Sequence, residues 1–271
     1  MPELPEVETT VRGLTPVLHG QRLTLVEPRR ADLRKAIPVD LRQRMQGAVV
    51  TGLGRRAKYG MIDTDRGDTM IFHLGMSGRW RVDPADLLAH DHLLIETAAG
   101  RRLALNDPRR FGFLDLLPTA DLATYPAFAA MGPEPLGDDL TAAGLMRALE
   151  GRSAPIKAML LDQRIVAGLG NIYVCEALHM AGIAPSRAAG QISSARLARL
   201  VEAIRAVLMA AIDAGGSTLR DFAAPDGELG YFSKQFLVYG REHEACACGG
   251  PVHRQTQAGR STFWCPRCQR T

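Results

Sequence analysis

The sequence has no long apolar run, and this absence narrows the classes of protein that it can encode. No hydrophobic segment approaches the roughly 18 consecutive apolar residues that a membrane-spanning helix requires. The N-terminus is acidic and interrupted by proline, unlike a secretory signal. We therefore expect neither a membrane protein nor a secreted one, and the predicted location is a bacterial-type cytoplasm.

Cysteine is scarce and unevenly placed. Of the five cysteines, Cys175 stands alone and the other four lie between residues 246 and 268. In a chain without a secretory signal, this distribution favours a metal site and one core thiol over a framework of disulfides.

Lysine is also scarce, since Lys35, Lys58, Lys157 and Lys234 are the only lysines among 33 basic residues. Such an arginine bias can come from genome composition, so the few lysines carry more information than the many arginines. The formal charge of +4 is concentrated at the end of the chain, where five arginines and two glutamates follow residue 240. A basic end on a nearly neutral body indicates contact with a polyanion or a merely solvated tail.

What is present is the composition of a folded protein with a hydrophobic core. Hydrophobic residues make up 46% of the 271 positions, and this length favours two domains. The spacing of Val7, Val11, Leu14 and Leu18 predicts a first helix that ends at Gly20. Short β-rich runs then favour a sandwich or barrel: Leu23–Val26, Ala48–Leu53, Met61–Thr64, Met70–Leu74, Leu93–Thr97 and Leu103–Leu105.

The second half of the chain is predicted to be helical. Two prolines and two glycines between residues 131 and 137 indicate a linker. Helices are predicted at Thr141–Glu150, Ala154–Leu161, Ile172–Met180 and Ala195–Ala214. The predicted domains are therefore a β domain at 1–131, a linker at 132–137, a helical domain at 138–235 and a small metal ribbon at 236–271.

The four clustered cysteines predict a zinc site. Cys246 and Cys248 are separated by sixteen residues from Cys265 and Cys268, so two close pairs flank an insert the size of a hairpin. Four thiolates in this arrangement can surround one zinc ion and stabilise a ribbon too small to fold by burial alone. Because the first pair is C-x-C rather than C-x-x-C, His243 or His253 could replace one thiolate.

The N-terminus carries a second chemical signal. Methionine before proline is normally removed, which would expose Pro2 as a secondary α-amine with a pKa near ~8. Such an amine can attack an electrophilic carbon and form an iminium, with Glu3 as acid or base and Glu6 one helical turn further. The alternative is a proline-initiated helix whose acidic first turn complements the helix dipole, and these residues alone favour that alternative.

Four further motifs suit phosphates or exposed bases, although each alone is also typical of an ordinary turn or core. Two of them place cations beside an aromatic residue, at 55–60 and 106–112. At 73–78 two glycines surround Met76, which could act as an apolar wedge. At 168–171 a glycine turn precedes a helix, with Asn171 as its predicted cap and Lys157, on the helix before it, as a partner for the same anion. Separately, Arg260 on the predicted hairpin tip is either an ordinary exposed arginine or one aimed at phosphates.

Together these motifs resemble the formamidopyrimidine-DNA glycosylase (MutM) family of bacterial base-excision repair. The resemblance covers nearly the whole chain, in the family's order. The matching segments are PELPEVET at 2–9, RRAKY at 55–59, HLGMSG at 73–78, DPRRFG at 107–112, MGPEPL at 131–136, GLGNIY at 168–173 and the cysteine ribbon.

The resemblance implies an α+β multidomain fold. It has an N-terminal β-sandwich with flanking helices, a helical domain with a helix–two-turn–helix motif, and a β-ribbon zinc finger. The implied function is a bifunctional glycosylase and AP lyase that excises oxidised purines, 8-oxoguanine and formamidopyrimidines, from damaged double-stranded DNA. The implied state is a monomer with one structural zinc ion.

The resemblance also assigns roles to individual residues. The implied catalytic residues are Pro2 as nucleophile, Glu3, Glu6, Lys58 and Arg260. The implied DNA contacts are His92, Met76, Arg109, Arg110, Phe111, Lys157, Asn171 and Arg260. The segment from Ser217 through Thr218 to Tyr231 corresponds to the loop that closes over the flipped purine, and the implied zinc ligands are Cys246, Cys248, Cys265 and Cys268.

Three other interpretations stay open at this point. An endonuclease VIII-like enzyme of the same superfamily would prefer oxidised pyrimidines, and a protein without catalytic activity could use the zinc ribbon to bind lesions. An RNA-binding or ribosome-binding ribbon would leave residues 1–131 unexplained.

Overall fold

The computed structural model describes residues 2–218 and 222–270, which form two compact units. The first unit contains residues up to Ala129 together with Ala214–Ser233, and the second contains Ala130–Asp213 together with Lys234 onward. The chain therefore leaves the first unit, returns to complete it and leaves it again. The predicted domain boundaries place 214–233 with the helical domain instead, and they stay a prediction.

The first unit is built on two four-stranded antiparallel sheets, which agrees with the sandwich among the two predicted architectures, sandwich or barrel. Sheet A has the strand order β1-β6-β7-β5 and sheet B has the order β2-β3-β4-β8. The strands are β1 (Leu23–Pro28), β2 (Val50–Arg56), β3 (Tyr59–Thr64), β4 (Asp68–His73), β5 (Arg79–Val82), β6 (Asp91–Thr97), β7 (Arg102–Asn106) and β8 (Phe113–Pro118). Strands β5 and β8 are not among the six predicted runs.

The helices of this unit flank the sheets. They are α1 (Leu4–Leu18), α2 (Leu41–Met45) and α3 (Pro126–Ala129), with a 3₁₀ turn at Thr119–Thr124 before α3. Helix α1 begins with Pro5 in its first turn, where a missing N–H costs no hydrogen bond. Its buried side chains Val7, Val11, Leu14 and Leu18 join the core of the sandwich, and this confirms the predicted apolar face.

The second unit is helical and ends in a two-stranded ribbon. Its helices are α4 (Ala142–Leu149), α5 (Ile156–Leu161), α6 (Asn171–Met180) and α7 (Ser194–Asp213), and a 3₁₀ turn lies at Ala189–Gln191. Another 3₁₀ turn, Phe232–Gln235, contains the point at which the chain passes from the first unit to the second. The ribbon strands are β9 (His253–Gln257) and β10 (Arg260–Trp264). All four predicted helices are present within two residues of their predicted ends. Among the described residues, no helix combines the length and apolar character needed to cross a membrane.

Candidate active site and zinc ribbon

One end of the sandwich collects most of the predicted site residues of the first unit. In sheet B, Tyr59 pairs with His73 and His73 pairs with Phe113, so the ends of β3, β4 and β8 meet in one row. In sheet A, Asn106 pairs with both Arg79 and Asp91. The loops 74–78 and 107–112 each cross from one sheet to the other at this end, because β4 leads into β5 and β7 leads into β8.

Asp107 holds the two crossing loops together. Its carboxylate accepts a hydrogen bond of 2.6 Å from the Ser77 hydroxyl and one of 2.8 Å from the Gly112 amide. Its carbonyl oxygen lies 2.9 Å from Nε2 of His92. Gly75 has φ +61°, and a Cβ there would lie 2.3 Å from the backbone of Phe111. Only glycine permits so close an approach of the two loops.

The loops present the predicted trio of Met76, Arg109 and Phe111. Met76 is half-buried, whereas Arg109 and Phe111 are exposed. The Arg109 guanidinium lies over the Phe111 ring, 4.9 Å from its centroid. Between them Arg110 adopts φ 56°, which turns the backbone sharply. An exposed cation stacked on an exposed aromatic ring suits contact with bases.

The predicted nucleophile precedes helix α1 and is buried together with both predicted acids. Pro2 is buried, and Glu3 and Glu6 are each 2% exposed. One carboxylate oxygen of Glu6 accepts a bond of 2.8 Å from the Glu3 amide. The other accepts a bond of 2.8 Å from the Ser217 amide, 211 residues away in the chain. Glu6 therefore joins the beginning of the chain to the segment that returns to this unit.

The segment from Ser217 to Tyr231 is closed at its base. Ser217 and Tyr231 form an antiparallel bridge, and the Thr218 hydroxyl accepts the Gly230 amide and donates to the Phe222 carbonyl. Tyr231 is 51% exposed. Leu219, Arg220 and Asp221 lie outside the described residues, so the predicted closure of this loop over a purine stays a prediction.

Lys58 lies in the turn between β2 and β3, beside the row of aromatic rings. It is 8% exposed, and Ala57 before it has φ 52°. Burial, together with the charges of Lys58, Arg34 and Lys35, lowers the pKa of nearby His73 to about 4. His73 is therefore neutral at pH 7, and its Nδ1 accepts the Gly75 amide at 3.1 Å. No sequence signal singled out His73.

Arg55, in the same cationic motif, has a structural contact. Its guanidinium lies 2.9 Å from the Glu8 carboxylate, which also binds Arg12. Burial raises the pKa of Glu8, but the hydrogen bonds and charges of Arg55 and Arg12 outweigh burial and lower it overall. The cations at 55–58 thus include a fixed ion pair as well as the predicted site residue.

In the second unit, two predicted phosphate contacts hold the ribbon. Lys157 is 1% exposed, and its ammonium donates to the Thr262 hydroxyl at 2.6 Å and to the Ser261 carbonyl at 3.2 Å. The Asn171 amide donates to the same carbonyl at 2.9 Å. The prediction that Asn171 caps helix α6 is wrong, because Gly170 occupies the N-cap and Asn171 is the first helical residue.

The ribbon tip presents Arg260 to solvent. Gln257 pairs with Arg260 across the turn, and the two residues between them, Ala258 and Gly259, have φ 48° and 72°. Two positive φ values in a two-residue loop are typical of a type I′ turn, whose twist matches that of the strands. The exposed guanidinium is thus held beside residues that Lys157 and Asn171 fix.

The four ribbon cysteines form one ligand group. Their sulfur atoms all lie within 4.8 Å of one another, with 3.7 Å between Cys246 and Cys268 and 3.5 Å between Cys248 and Cys265. Sulfurs bound tetrahedrally to zinc at about 2.3 Å would be about 3.8 Å apart. The residues therefore fit one structural zinc ion.

Neither histidine alternative is supported. His243 has an 89% exposed side chain beside Glu242, and His253 packs on Trp264. In the described part of the chain, the only group of at least three metal-ligating side chains is the four cysteines.

Two further side chains, the half-buried Gln163 and the buried Glu176, organise the second unit although the sequence does not predict them. Gln163 accepts the Gly168 amide and donates to the Leu169 carbonyl, which shapes the turn before α6. Glu176 accepts the amides of residues 237, 238 and 239. The contacts of Glu176 join distant parts of the chain and leave no periodic pattern in the sequence.

Three family models match the chain. Residues 1–114 match the formamidopyrimidine-DNA glycosylase N-terminal domain, 131–223 match its H2TH domain, and 247–271 match a zinc finger found in FPG and IleRS. Together with the fold and the cysteine ribbon, these matches define a DNA glycosylase with a zinc finger.

Proteins called formamidopyrimidine-DNA glycosylase from Rhizorhabdus wittichii and Sphingopyxis alaskensis are 70% and 65% identical to this chain, over the full length of both chains. The chain belongs to the formamidopyrimidine-DNA glycosylase family.

Solved structures agree with this assignment. The fold matches a mutant Lactococcus lactis FPG in complex with DNA containing Fapy-dG, with a TM-score of 0.92, 34% identity and full coverage of both chains. It also matches MutM (FPG) from Thermus thermophilus, with a TM-score of 0.87 and 39% identity over 99% of this chain and 98% of the other. The α+β multidomain fold expected from the sequence is thereby confirmed.

Proposed function

We propose that the protein excises oxidised purines from double-stranded DNA and then cleaves the strand, with Pro2 as nucleophile. The observation that carries this proposal is the double contact of Glu6, which binds both the Glu3 amide and the Ser217 amide. This contact holds the residues next to Pro2 in one buried position. Such fixed placement of a nucleophile and its acid is what covalent catalysis needs.

The chemistry follows from a secondary amine. Once Met1 is removed, the Pro2 nitrogen attacks C1′ of the damaged nucleotide while the base leaves with the bonding electrons, and Glu3 supplies a proton as the sugar ring opens. The resulting iminium acidifies the C2′ proton. Loss of that proton expels the 3′ phosphate, and a second elimination expels the 5′ phosphate. One residue thus accounts for both glycosylase and lyase activity.

The damaged base must leave the stack before Pro2 can reach C1′, at a cost of about a few kcal/mol. We assign the filling of the gap to the exposed pair Arg109 and Phe111 with Met76 beside them. Arg110 and the buried His92 support the same loops, and Lys58 lies at the same end of the sandwich. These assignments rest on the crossing loops that Asp107 holds together.

We assign the grip on the DNA backbone to the ribbon tip. Arg260 is exposed there, whereas Lys157 and Asn171 bind the Ser261 carbonyl next to it. The predicted phosphate contacts of all three residues are therefore proposed as one unit. Zinc bound to the four cysteines would supply the cross-link that keeps this ribbon folded.

The substrate class is supported by the relatives. The Lactococcus lactis structures are complexes with DNA that contains Fapy-dG or an abasic site. We extend this class of substrate to the present chain, as a monomer acting on chromosomal DNA in the bacterial nucleoid. The proposed preference for oxidised purines over oxidised pyrimidines is supported by the full-length relatives, which are called formamidopyrimidine-DNA glycosylase.

The test is borohydride trapping on a duplex with one 8-oxoguanine opposite cytosine, followed by peptide mass analysis. We expect a covalent adduct at Pro2 of a chain that lacks Met1. Pro2→Gly replaces the secondary amine and should lose most of the adduct while retaining DNA binding. As a matched control, Pro5→Gly changes the proline in the first turn of α1, three residues after Pro2, and should still form the adduct.

An adduct on another residue would refute Pro2 as nucleophile. Tight binding of the duplex without any adduct would instead support a lesion-binding protein without catalytic activity. An adduct formed only with oxidised pyrimidines would support the endonuclease VIII-like alternative.

A further inference from the structure

His179, near the end of helix α6, contacts a zinc-ligand cysteine. Its Nε2 lies 3.3 Å from the Cys246 sulfur. Its other ring nitrogen, Nδ1, is buried and has no hydrogen-bond partner among the described residues. The ring therefore makes its one polar contact with a sulfur atom.

His179 is a neighbour of the ligand group and not a member of it. The mutually close ligand atoms are the four cysteine sulfurs, and the imidazole nitrogen is not among them. Four thiolates already complete the tetrahedral shell that zinc prefers. The imidazole of His179 therefore interacts with the Cys246 sulfur and does not bind the metal ion itself.

The two cysteine pairs differ in the backbone amides that surround their sulfurs. In the C-x-x-C pair, the amides of Arg267 and Cys268 donate to the Cys265 sulfur. In the shorter C-x-C pair, the amide at the same distance after Cys246 belongs to Gly249, and it donates to the Cys246 carbonyl oxygen at 2.8 Å. The Gly249 amide thus binds the Cys246 carbonyl, whereas the corresponding Cys268 amide binds the Cys265 sulfur.

We propose that His179 replaces this donor by giving its Nε2–H to the metal-bound thiolate of Cys246. A thiolate is an anion and only accepts hydrogen bonds, so a bare Nε2 lone pair facing it would be repelled. The hydrogen therefore lies on Nε2, and Nδ1 is the bare nitrogen. His179 is a positioning residue that adapts the shortened pair to zinc and ties helix α6 to the ribbon.

The first experiment measures metal affinity by competition with a chelator, using the full-length protein. His179→Phe keeps an aromatic ring but removes the donor, and we expect zinc to bind about 10-fold to 100-fold more weakly. His179→Gln can still offer an N–H and should recover part of the loss. His253→Phe changes a ribbon histidine that touches no ligand sulfur and should match the unchanged protein. An affinity of His179→Phe within twofold of the unchanged protein would overturn the proposal.

The second experiment observes the hydrogen directly and needs no variant. In protein loaded with cadmium-113, long-range ¹H–¹⁵N spectra identify which ring nitrogen of His179 carries the hydrogen. We expect the hydrogen on Nε2, with a scalar coupling to cadmium through the Cys246 sulfur. A hydrogen on Nδ1 refutes the assignment even where the variants fail to fold.

Discussion

At the scale of single residues, the functional side chains depend on a few buried polar groups that receive hydrogen bonds from distant parts of the chain. Asp107 binds Ser77 and Gly112, and Glu6 binds the amides of Glu3 and Ser217. A buried carboxylate is stable only when such donors satisfy it. The proposed nucleophile and the proposed base-contacting loops are thus held in place by buried carboxylates.

His73 offers a test of this arrangement through pH. Its pKa is lowered to about 4 by burial and by the nearby cations, compared with 6.5 in an unfolded chain. Since the folded state resists protonation, the stabilisation is present above pH 6.5 and is lost as the pH falls towards 4. Between pH 7.5 and 5.5 we expect the unfolding free energy of the first unit to fall by about 1 kcal/mol because of His73.

The measurement is urea unfolding followed by Trp80, which is buried in the sandwich, in a Trp264→Phe background that silences the ribbon. His73→Asn retains an acceptor for the Gly75 amide but does not titrate. The unfolding free energy of this variant should therefore fall by about 1 kcal/mol less between the two pH values than that of the unchanged protein. An equal decrease of the unfolding free energy in both proteins would show that His73 is not the titrating group.

At the scale of secondary structure, the sequence predicts periodic elements well and special turns poorly. The apolar repeats of α1 and α7 identify both helices, whose buried faces are regular. Strand β5, with the sequence RWRV, has only Trp80 fully buried and carries no strong pattern. The prediction of Asn171 as the N-cap of α6 is wrong because glycine and asparagine both suit that position. Only the backbone conformation shows that Gly170 is the N-cap.

The same reasoning applies to the candidate site. The cysteine pairs are predictable, because their spacing is visible locally. The roles of Pro2 and Glu3 come from the family resemblance and stay predictions, since these residues alone favour an ordinary helix start. The contact between Glu6 and Ser217 was not predictable, because 211 residues separate the partners. The contact between His179 and Cys246 was missed for the same reason, since the fold alone brings them together.

The ribbon turn provides a prediction at this scale. Ala258 adopts φ 48°, which is unfavourable for alanine by about 1 kcal/mol, whereas asparagine tolerates it well in a type I′ turn. We expect Ala258→Asn to stabilise the ribbon and to slow hydrogen exchange of the β9 and β10 amides by up to about fivefold. Ala258→Pro, which cannot adopt a positive φ, should have the opposite effect. Unchanged exchange in both variants would mean that the turn does not limit ribbon stability.

At the scale of the whole molecule, the sandwich and the zinc ribbon are stabilised by different means. The sandwich has a large apolar core that includes Phe72, Trp80 and many aliphatic side chains. The ribbon has a small cluster in which Cys246 and Cys265 pack with Val238, Val252 and Phe263. So small a cluster relies on its metal, whereas the sandwich does not.

Removal of zinc should therefore affect the molecule unequally. After treatment with a strong chelator, we expect the amides of β9 and β10 to exchange rapidly with solvent while those of sheets A and B stay protected. Hydrogen exchange with mass spectrometry measures both in one sample, and restored zinc should restore protection. A protected ribbon in metal-free protein would show that the apolar cluster alone is sufficient.

The contact between Glu6 and Ser217 has a consequence for the timing of synthesis. A ribosome makes residue 217 long after residue 6, so the carboxylate of a growing chain has no Ser217 amide to bind until most of the protein has emerged. During this interval the N-terminus is not yet fixed by this contact, and an aminopeptidase can act on Met1 before the contact forms. The order of translation thus allows the proposed nucleophile Pro2 to be processed before Ser217 fixes its neighbour Glu6.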